Sequence, residues 1–432
     1  MTFPLGLLLV TFFGLGLLRV PIGIAMLAGG FAYLLAKGSD PGVATEQVMN
    51  ALHQSSVLLA IPMFIFAANV MNAGTISERL LNFALALVGR VRGGLGHVNV
   101  VVNVIFASMS GSAVADAAGP GAVLIRMMTQ GNRYPAGFAA ALTASAATLA
   151  PIIPPSIPMI LYAVIANVSV GALFAAGVMP GLLMAAILMA GVAFVAHRRQ
   201  FPKEARTPWR DFPRIILRSL LPLALPVVIL GGMRIGAFTP TEGAAVAALY
   251  ALILAAIIYR AVSFAKFREI VAVSLAQSTA VMVIICGAFL INYALTAEQV
   301  PLHIAAWFAD RQFGANQFLV VVMVLFLVLG CFVDTTVMLL VLVPVLLPTA
   351  RTLGIDLVHF GVIVIVNMMV GMLTPPYGVL LFVVNAVTGI PLKAIIDEIW
   401  FFCGLLVVAL FLMVFIPDIV LWLPRLLEFK TS

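Results

Sequence analysis

Long apolar runs separated by short polar punctuation fill this chain. Uninterrupted hydrophobic segments occur near 3–18, 20–36, 55–72, 135–165, 178–196, 219–235, 238–259, 270–293, 356–390 and 398–424. At 1.5 Å of rise per helical residue, each spans, or nearly spans, a hydrocarbon core ~30 Å thick. Two further stretches, 95–128 and 316–350, are apolar but interrupted midway. The first contains SMSGSAVADAAGPG over 108–121, which puts three serines, three glycines and Asp116 where an unpaired polar group or charge is costly. The pattern predicts helices throughout, with these two stretches as hairpins that enter and leave the membrane on one face.

Composition agrees. Hydrophobic residues make up 63% of the 432 and charged residues 9%, against about 25% charged in ordinary soluble domains. The start, MTFPLGLLLVTFFGLGLLRV, lacks a basic n-region and a small-residue cleavage site, so it reads as a retained first span. With the N-terminus outside, 17 of the 23 basic residues gather on one side: Arg19, Arg79 to Arg133, the seven from Arg198 to Arg218, Arg260 to Arg268, and Lys393. Lys37, Arg234, Arg311, Arg351, Arg425 and Lys430 fall on the other. The net charge of +7 is therefore topogenic and marks the cytoplasmic side, which argues against a nucleic-acid patch. Cys286, Cys331 and Cys403 have no paired spacing, and no two of the five histidines stand at i, i+4, so neither disulfides nor a metal motif is indicated.

The same model puts the two hairpins on opposite faces, as an inverted repeat requires. Each hairpin is followed by a helix broken at a double proline, Pro154-Pro155 and Pro375-Pro376, lying 38 and 41 residues after Asp116 and Asp334. We therefore expect an all-α polytopic membrane protein with two re-entrant hairpins and two broken helices. The first half covers 1–196, with hairpin 95–128 and broken helix 135–165. The second covers 219–432, with hairpin 316–350 and broken helix 356–390. Between them, 197–218 reads as an amphipathic connector along the cytoplasmic surface.

Proline removes a backbone donor and clashes with the preceding turn, so LAPIIPPS and LTPPYG cannot continue a regular helix. Non-helical backbone survives at membrane depth only where protein buries it or a cavity takes it up. A cation can take the freed carbonyls, and an anion can sit at the N-terminus of a half-helix. Ser108, Ser110 and Ser112 supply small oxygen ligands or caps around Gly111, and hard cations such as sodium prefer such donors. Candidate substrate-facing residues are Asp116, Pro154 and Pro155 in the first half and Asp334, Thr335, Thr336, Pro375 and Pro376 in the second. Asp116 has three readings: a hairpin cap, a partner of Arg126, or a group that couples ions or protons. Thr241 and Glu242 in FTPTEGAAVA have a simpler one, since a carboxylate at a helix start complements the dipole.

Five stretches carry a resemblance: IPMFIFAANVMNAGTISERLL, FASMSGSAVADAAGPGAVLI, LAPIIPPSIPMILYA, GAFTPTEGAAVAALYA and GMLTPPYGVLLFV. In content and order they closely resemble the large membrane subunit of tripartite ATP-independent periplasmic (TRAP) transporters, over essentially the whole chain. The resemblance implies an elevator-type secondary transporter of an organic acid, coupled to two or more sodium ions. It also implies two partners, a small four-helix membrane subunit and a periplasmic substrate-binding protein, and a place in the bacterial inner membrane. Carried over, the first sodium site would use Ser108, Ser110, Gly111 and Ser112 with the break from Pro151 to Ser156. The second would use Gly330, Gly371 and Thr374, with Tyr377 adjoining. Asn69 stands where many relatives have glycine, which bears on helix packing and on no ligand position.

Other functions fit less well. The chain contains no GxxxxGK[ST] phosphate loop and no HExxH. A serine protease lacks a serine and histidine at shared depth, because His97 and His197 flank basic loops. An ABC permease has no need of opposed hairpins, and a passive channel would differ in showing only downhill uptake. The longest polar stretch, from His197 to Arg218, is too short to bury a core that captures substrate.

Overall fold

A computed structural model describes residues 2–54, 56–72, 76–204 and 212–429. Among them the chain is helical, with a single isolated bridge between Arg92 and Lys203 in place of any strand. Five helices are long and apolar enough to cross a membrane unaided: Val170–Arg198, Pro240–Ile258, Phe264–Ala297, Thr335–Thr352 and Leu392–Phe415. Shorter apolar helices supply the rest. This is a multi-pass membrane protein.

The first arms of the two broken helices form the centre. Every residue from Gly137 to Ala147 in Ala136–Ala147, and from Val358 to Gly371 in Leu357–Gly371, is buried. A helix apolar on every face is buried in protein or in lipid, and here the hairpins do much of the enclosing. Helix Gly94–Ser110 packs on Ala136–Ala147, and Ala315–Gly330 packs on Leu357–Gly371. The second arms cross between halves: Ile157–Ala166 lies on Thr335–Thr352, and Val379–Thr388 lies on Ala113–Ala118 and Pro120–Thr129. Two hydrogen bonds pin the first crossing. Tyr162 donates to the Leu357 carbonyl at 2.6 Å, and Arg351 donates to the Ala166 carbonyl at 3.1 Å.

Outside this block, Phe3–Leu17 packs along Ile22–Lys37, which packs along Phe264–Ala297. The aqueous end of that layer is closed by Glu298, which accepts from Lys37 at 2.7 Å, Thr2 at 2.7 Å and Tyr33 at 2.9 Å. These donors, Lys37 first, hold the Glu298 carboxyl down at about 2, so the pairing persists until the pH falls far below the usual carboxylate range.

Several elements differ from the pattern-based expectation. The first hairpin has three helices, because Gly119 breaks its returning arm between Ala113–Ala118 and Pro120–Thr129. The run 398–424 divides at Ile416 and Pro417 into Leu392–Phe415 and Asp418–Leu426. Three helices, Gly42–Gln54, Ile76–Val88 and Val300–Asp310, were not foreseen, since none is an uninterrupted apolar run of spanning length. The stretch 197–218 is shared among several elements. His197 and Arg198 end Val170–Arg198, residue 212 onward belongs to Phe212–Arg234, and 199–204 is non-helical. Residues 205–211 of the connector, including Arg206 and Arg210, lie outside the described residues, as does Lys430. The reading of Thr241 and Glu242 agrees with the structure: Thr239 and Glu242 form a capping box at the start of Pro240–Leu252.

The Tyr162 bond between halves is testable. Tyr162→Phe keeps the packed ring and orphans one carbonyl interaction, so stability in detergent should fall by about 1 kcal/mol. An unchanged thermal midpoint would show that the crossing is held by packing alone.

Candidate functional site

The first hairpin turns at Gly111, which ends Gly94–Ser110 in the left-handed region at φ 59° and ψ 12°. Ser112 then takes an extended conformation and caps Ala113–Ala118 by accepting from the Ala115 amide at 3.4 Å. Ser110 accepts from the Ser112 amide at 3.4 Å, and Ser108 donates to the Ile105 carbonyl at 2.6 Å. Ser108 and Ser110 are buried. The break that follows Ala136–Ala147 runs to Ser156, which caps Ile157–Ala166 by accepting from the Met159 amide and donates to the Pro151 carbonyl. Pro151, Pro154, Pro155 and Ser156 are all buried, and the Pro154–Pro155 peptide is cis.

Tip and break touch through their backbones. A methyl group on Gly111 would stand 2.8 Å from the Pro155 carbonyl oxygen and 3.6 Å from the Ile157 amide nitrogen. Only glycine combines that approach with the positive φ. Beside this contact, Asp116 is fully buried, and neither carboxyl oxygen has a hydrogen-bond partner. The Ser110 hydroxyl stands next to it without closing a hydrogen bond. Asp116 therefore neither caps the hairpin, which Ser112 does, nor pairs with Arg126.

The second tip repeats the arrangement with different chemistry. Ala315–Gly330 ends at Cys331, and Asp334 caps Thr335–Thr352 by accepting from the amides of Thr336 at 2.8 Å and Val337 at 3.4 Å. Asp334 is exposed, and Thr335 and Thr336 are half-buried. A methyl on Gly330 would stand 3.0 Å from the Gly371 Cα, and one on Gly371 would stand 2.8 Å from the Gly330 Cα. The break after Leu357–Gly371 is bridged by backbone bonds from Gly378 to Thr374 and from Leu380 to Met372. Thr374 donates to the Val370 carbonyl at 2.9 Å, and its side chain also adjoins the Cys403 thiol. The Pro375–Pro376 peptide is also cis. Unlike the sealed first break, this one opens outward: Pro375 is half-buried, Pro376 and Tyr377 are exposed, and the Tyr377 ring lies between Phe332 at 5.8 Å and Phe382 at 6.1 Å.

The structure thus gathers Ser108, Ser110, Gly111, Ser112, Asp116 and Pro151 to Ser156 at one junction, and Gly330, Asp334 to Thr336, Gly371 and Thr374 to Tyr377 at another. It adds buried amides that the apolar pattern concealed. Asn99 donates to Thr143 at 2.6 Å, and Asn103 donates to the Asn99 side chain at 3.0 Å, tying the hairpin to the central helix. Asn367, one turn before Gly371, donates to the Met323 carbonyl at 2.9 Å. The Oδ1 atoms of Asn103 and Asn367 are buried without partners. Asn99 and Asn103, at i, i+4 within an apolar helix, were the available signal. The donors at both junctions are oxygens, and the described residues contain no cluster of three His, Cys, Asp or Glu side chains. Such a set fits a hard monovalent cation and disfavours zinc or other transition metals.

Paired hairpins seated on paired helix breaks, inside an apolar multi-pass bundle, define a membrane carrier rather than an enzyme. The family model for the tripartite ATP-independent periplasmic transporter, DctM component, matches residues 9–419, and the chain belongs to that family. It is 37% identical to the sialic acid TRAP transporter large permease protein SiaM of Vibrio cholerae, covering 95% of this chain and 97% of the relative. It is 40% identical to the C4-dicarboxylate TRAP transporter large permease protein DctM of Pseudomonas aeruginosa, covering 85% and 86%. Identity to the 2,3-diketo-L-gulonate TRAP transporter large permease protein YiaN of Escherichia coli is 36%, covering 93% and 94%. The crystal structure of the Alcanivorax borkumensis YdaH transporter shares the fold, with a TM-score of 0.60 over 85% of this chain and 86% of that one, at 13% identity. The chain is a large permease subunit of a tripartite transport system.

Close backbone approach at the second junction gives a direct test. Gly330→Ala should cut uptake at least about tenfold by wedging the hairpin off Gly371, with insertion into the membrane preserved. Gly404→Ala, whose added methyl meets nothing within 4 Å at a position without positive φ, controls for the substitution itself. Equal uptake by the two variants would remove the junction from the mechanism.

Proposed function

We propose that this chain is the permease subunit of a sodium-coupled secondary transporter that imports a small organic acid across the bacterial inner membrane. The observation that carries this reading is the backbone contact of each hairpin tip with a helix break, Gly111 on Pro155 and Gly330 on Gly371. Each junction offers small oxygen donors, and each adjoins the N-terminus of a half-helix, Ile157–Ala166 or Val379–Thr388. Carbonyl and hydroxyl oxygens suit sodium, and half-helix N-termini suit a carboxylate. The substrates in the names of the three relatives are all organic acids.

In this scheme Ser108, Ser110, Gly111 and Ser112 hold one sodium ion against the Pro151 to Ser156 break. Gly330, Gly371 and Thr374 hold another, beside Tyr377. The substrate lies between the junctions, near Asp116, Pro154 and Pro155 on one side and Asp334, Thr335, Thr336, Pro375 and Pro376 on the other. The halves 1–196 and 219–432 act as inverted repeats joined through 197–218. Their hairpins and broken helices move together as an elevator past the outer layer of Phe3–Leu17, Ile22–Lys37 and Phe264–Ala297. A small four-helix membrane subunit widens that outer layer, and a periplasmic substrate-binding protein delivers the acid.

Uptake into proteoliposomes should collapse when choline or potassium replaces sodium. Thr374→Ala should weaken apparent sodium affinity about fivefold, the loss of roughly one ligand-strength interaction. Thr241→Ala, whose hydroxyl donates to the Ser56 carbonyl away from both junctions, should leave it unchanged. Sodium-independent uptake, or matching sodium titrations for the two variants, contradicts the assignment.

The partner requirement is tested by omission. The chain reconstituted alone should show no uptake of free organic acid, and should acquire sodium-driven uptake only with both the small membrane subunit and the periplasmic protein. Robust uptake by the isolated chain would favour a stand-alone carrier.

A further inference from the structure

A basic concavity lies away from both junctions. Arg90, Val91, Arg92, His197 and Lys203 line an open bowl of ≈ 600 Å³. It forms where the turn before the first hairpin meets the end of Val170–Arg198 and the start of the segment that joins the two halves. The bowl is built rather than incidental. The Gly93 amide donates to the Pro202 carbonyl at 3.1 Å, the Glu204 amide donates to the Gly89 carbonyl at 3.3 Å, and Arg92 and Lys203 pair as an antiparallel bridge. Phe201 anchors the segment from below, buried against Tyr134 at 4.6 Å and Phe138 at 5.1 Å.

Among the described residues no ion pair involves Arg90, Arg92 or Lys203, and the adjoining carboxylate, Glu204, is occupied by Arg133 at 3.1 Å. His197 donates to the Ala193 carbonyl through Nδ1 at 2.8 Å, so Nε2 can donate to an anion only in the imidazolium form. Topogenic charge accounts for basic residues on this face of the membrane, but it requires neither convergence on one hollow nor a scaffold that holds them there.

A second feature points to the ligand. One turn membrane-ward of the basic rim, large apolar side chains are exposed: Leu87 is 48% exposed three residues before Arg90, and Phe194 is 59% exposed three residues before His197. Val91 within the rim is 43% exposed. A cationic bowl at the ends of helices whose preceding turns expose large apolar side chains matches a phosphate group with acyl chains attached.

We propose that the bowl formed by Arg90, Arg92, His197 and Lys203 binds the phosphate of an anionic phospholipid on the cytoplasmic side, with an acyl chain lying against Leu87 and Phe194. Such a lipid would tie the base of the first hairpin to Val170–Arg198 and to the segment joining the halves. The site is independent of the sodium and substrate junctions.

The test uses the full chain purified in mild detergent, with thermal unfolding and native mass spectrometry as readouts. Phosphatidylglycerol should raise the midpoint and remain bound, whereas phosphatidylcholine of the same chain length and inorganic phosphate should do neither. Arg90→Gln with Arg92→Gln should weaken phosphatidylglycerol binding about tenfold, while Lys266→Gln with Arg268→Gln, which removes the same charge elsewhere on that side, should not. Arg90→Lys with Arg92→Lys keeps the topogenic charge and should retain most of the binding, which separates a lost site from a misfolded protein. Equal stabilisation by phosphatidylcholine, equal protection by inorganic phosphate, or undiminished binding in the Arg90→Gln, Arg92→Gln variant would each overturn the proposal.

Discussion

Backbone that leaves the helix at membrane depth must find partners inside the protein, and the structure is arranged around two places where it does so. Each double proline frees amides and carbonyls that lipid cannot satisfy. Each is met by a hairpin tip close enough that one added methyl would collide, at Gly111 with Pro155 and at Gly330 with Gly371. The hairpins are therefore covers for the breaks. Each junction is made within one half of the chain, and the second arm of each broken helix then packs on the hairpin of the other half.

The two junctions obey the same constraint with opposite exposure. The first is sealed, with Asp116, Asn103 and Ser156 buried together with the whole break. The second is open at Pro376 and Tyr377. The first junction holds its buried carboxylate without a partner, whereas the second spends its carboxylate, Asp334, on capping the returning helix. The two junctions therefore share a backbone frame and differ in what it encloses.

Among the described residues, ion pairs are confined to the rim. The ion pairs that join separate elements, Lys37 with Glu298, Arg133 with Glu204 and Arg199 with Glu398, all sit at helix ends with exposed basic partners. Pairs of that kind contribute little to stability. Their value here is positional: Arg133 and Glu204 fasten the segment after Val170–Arg198 to the base of the first hairpin, and Glu298 gathers the ends of the outer layer.

Much of this architecture was legible in the sequence. Apolar run length gave the spans, polar interruption gave the hairpins, and the double prolines gave the breaks, because each reports a local conflict between backbone chemistry and lipid that no distant contact can remove. The capping box at Thr239 and Glu242 was legible for the same reason. Three-dimensional packing decided the rest. That Gly111 meets Pro155 and that Tyr162 reaches Leu357 depends on how helices cross, which residue spacing does not encode. Amphipathic helices such as Ile76–Val88 escaped notice because their apolar faces are set by neighbours rather than by a continuous run. Asp116 could be placed in a hairpin from its surroundings in the chain, but three roles stayed open until the fold showed Ser112 as the cap, Arg126 unpaired with it, and both carboxyl oxygens enclosed and free. Local polarity determines where a membrane helix must stop; only the tertiary structure determines what fills the gap, because the filling groups come from hairpins remote in sequence from the breaks they cover.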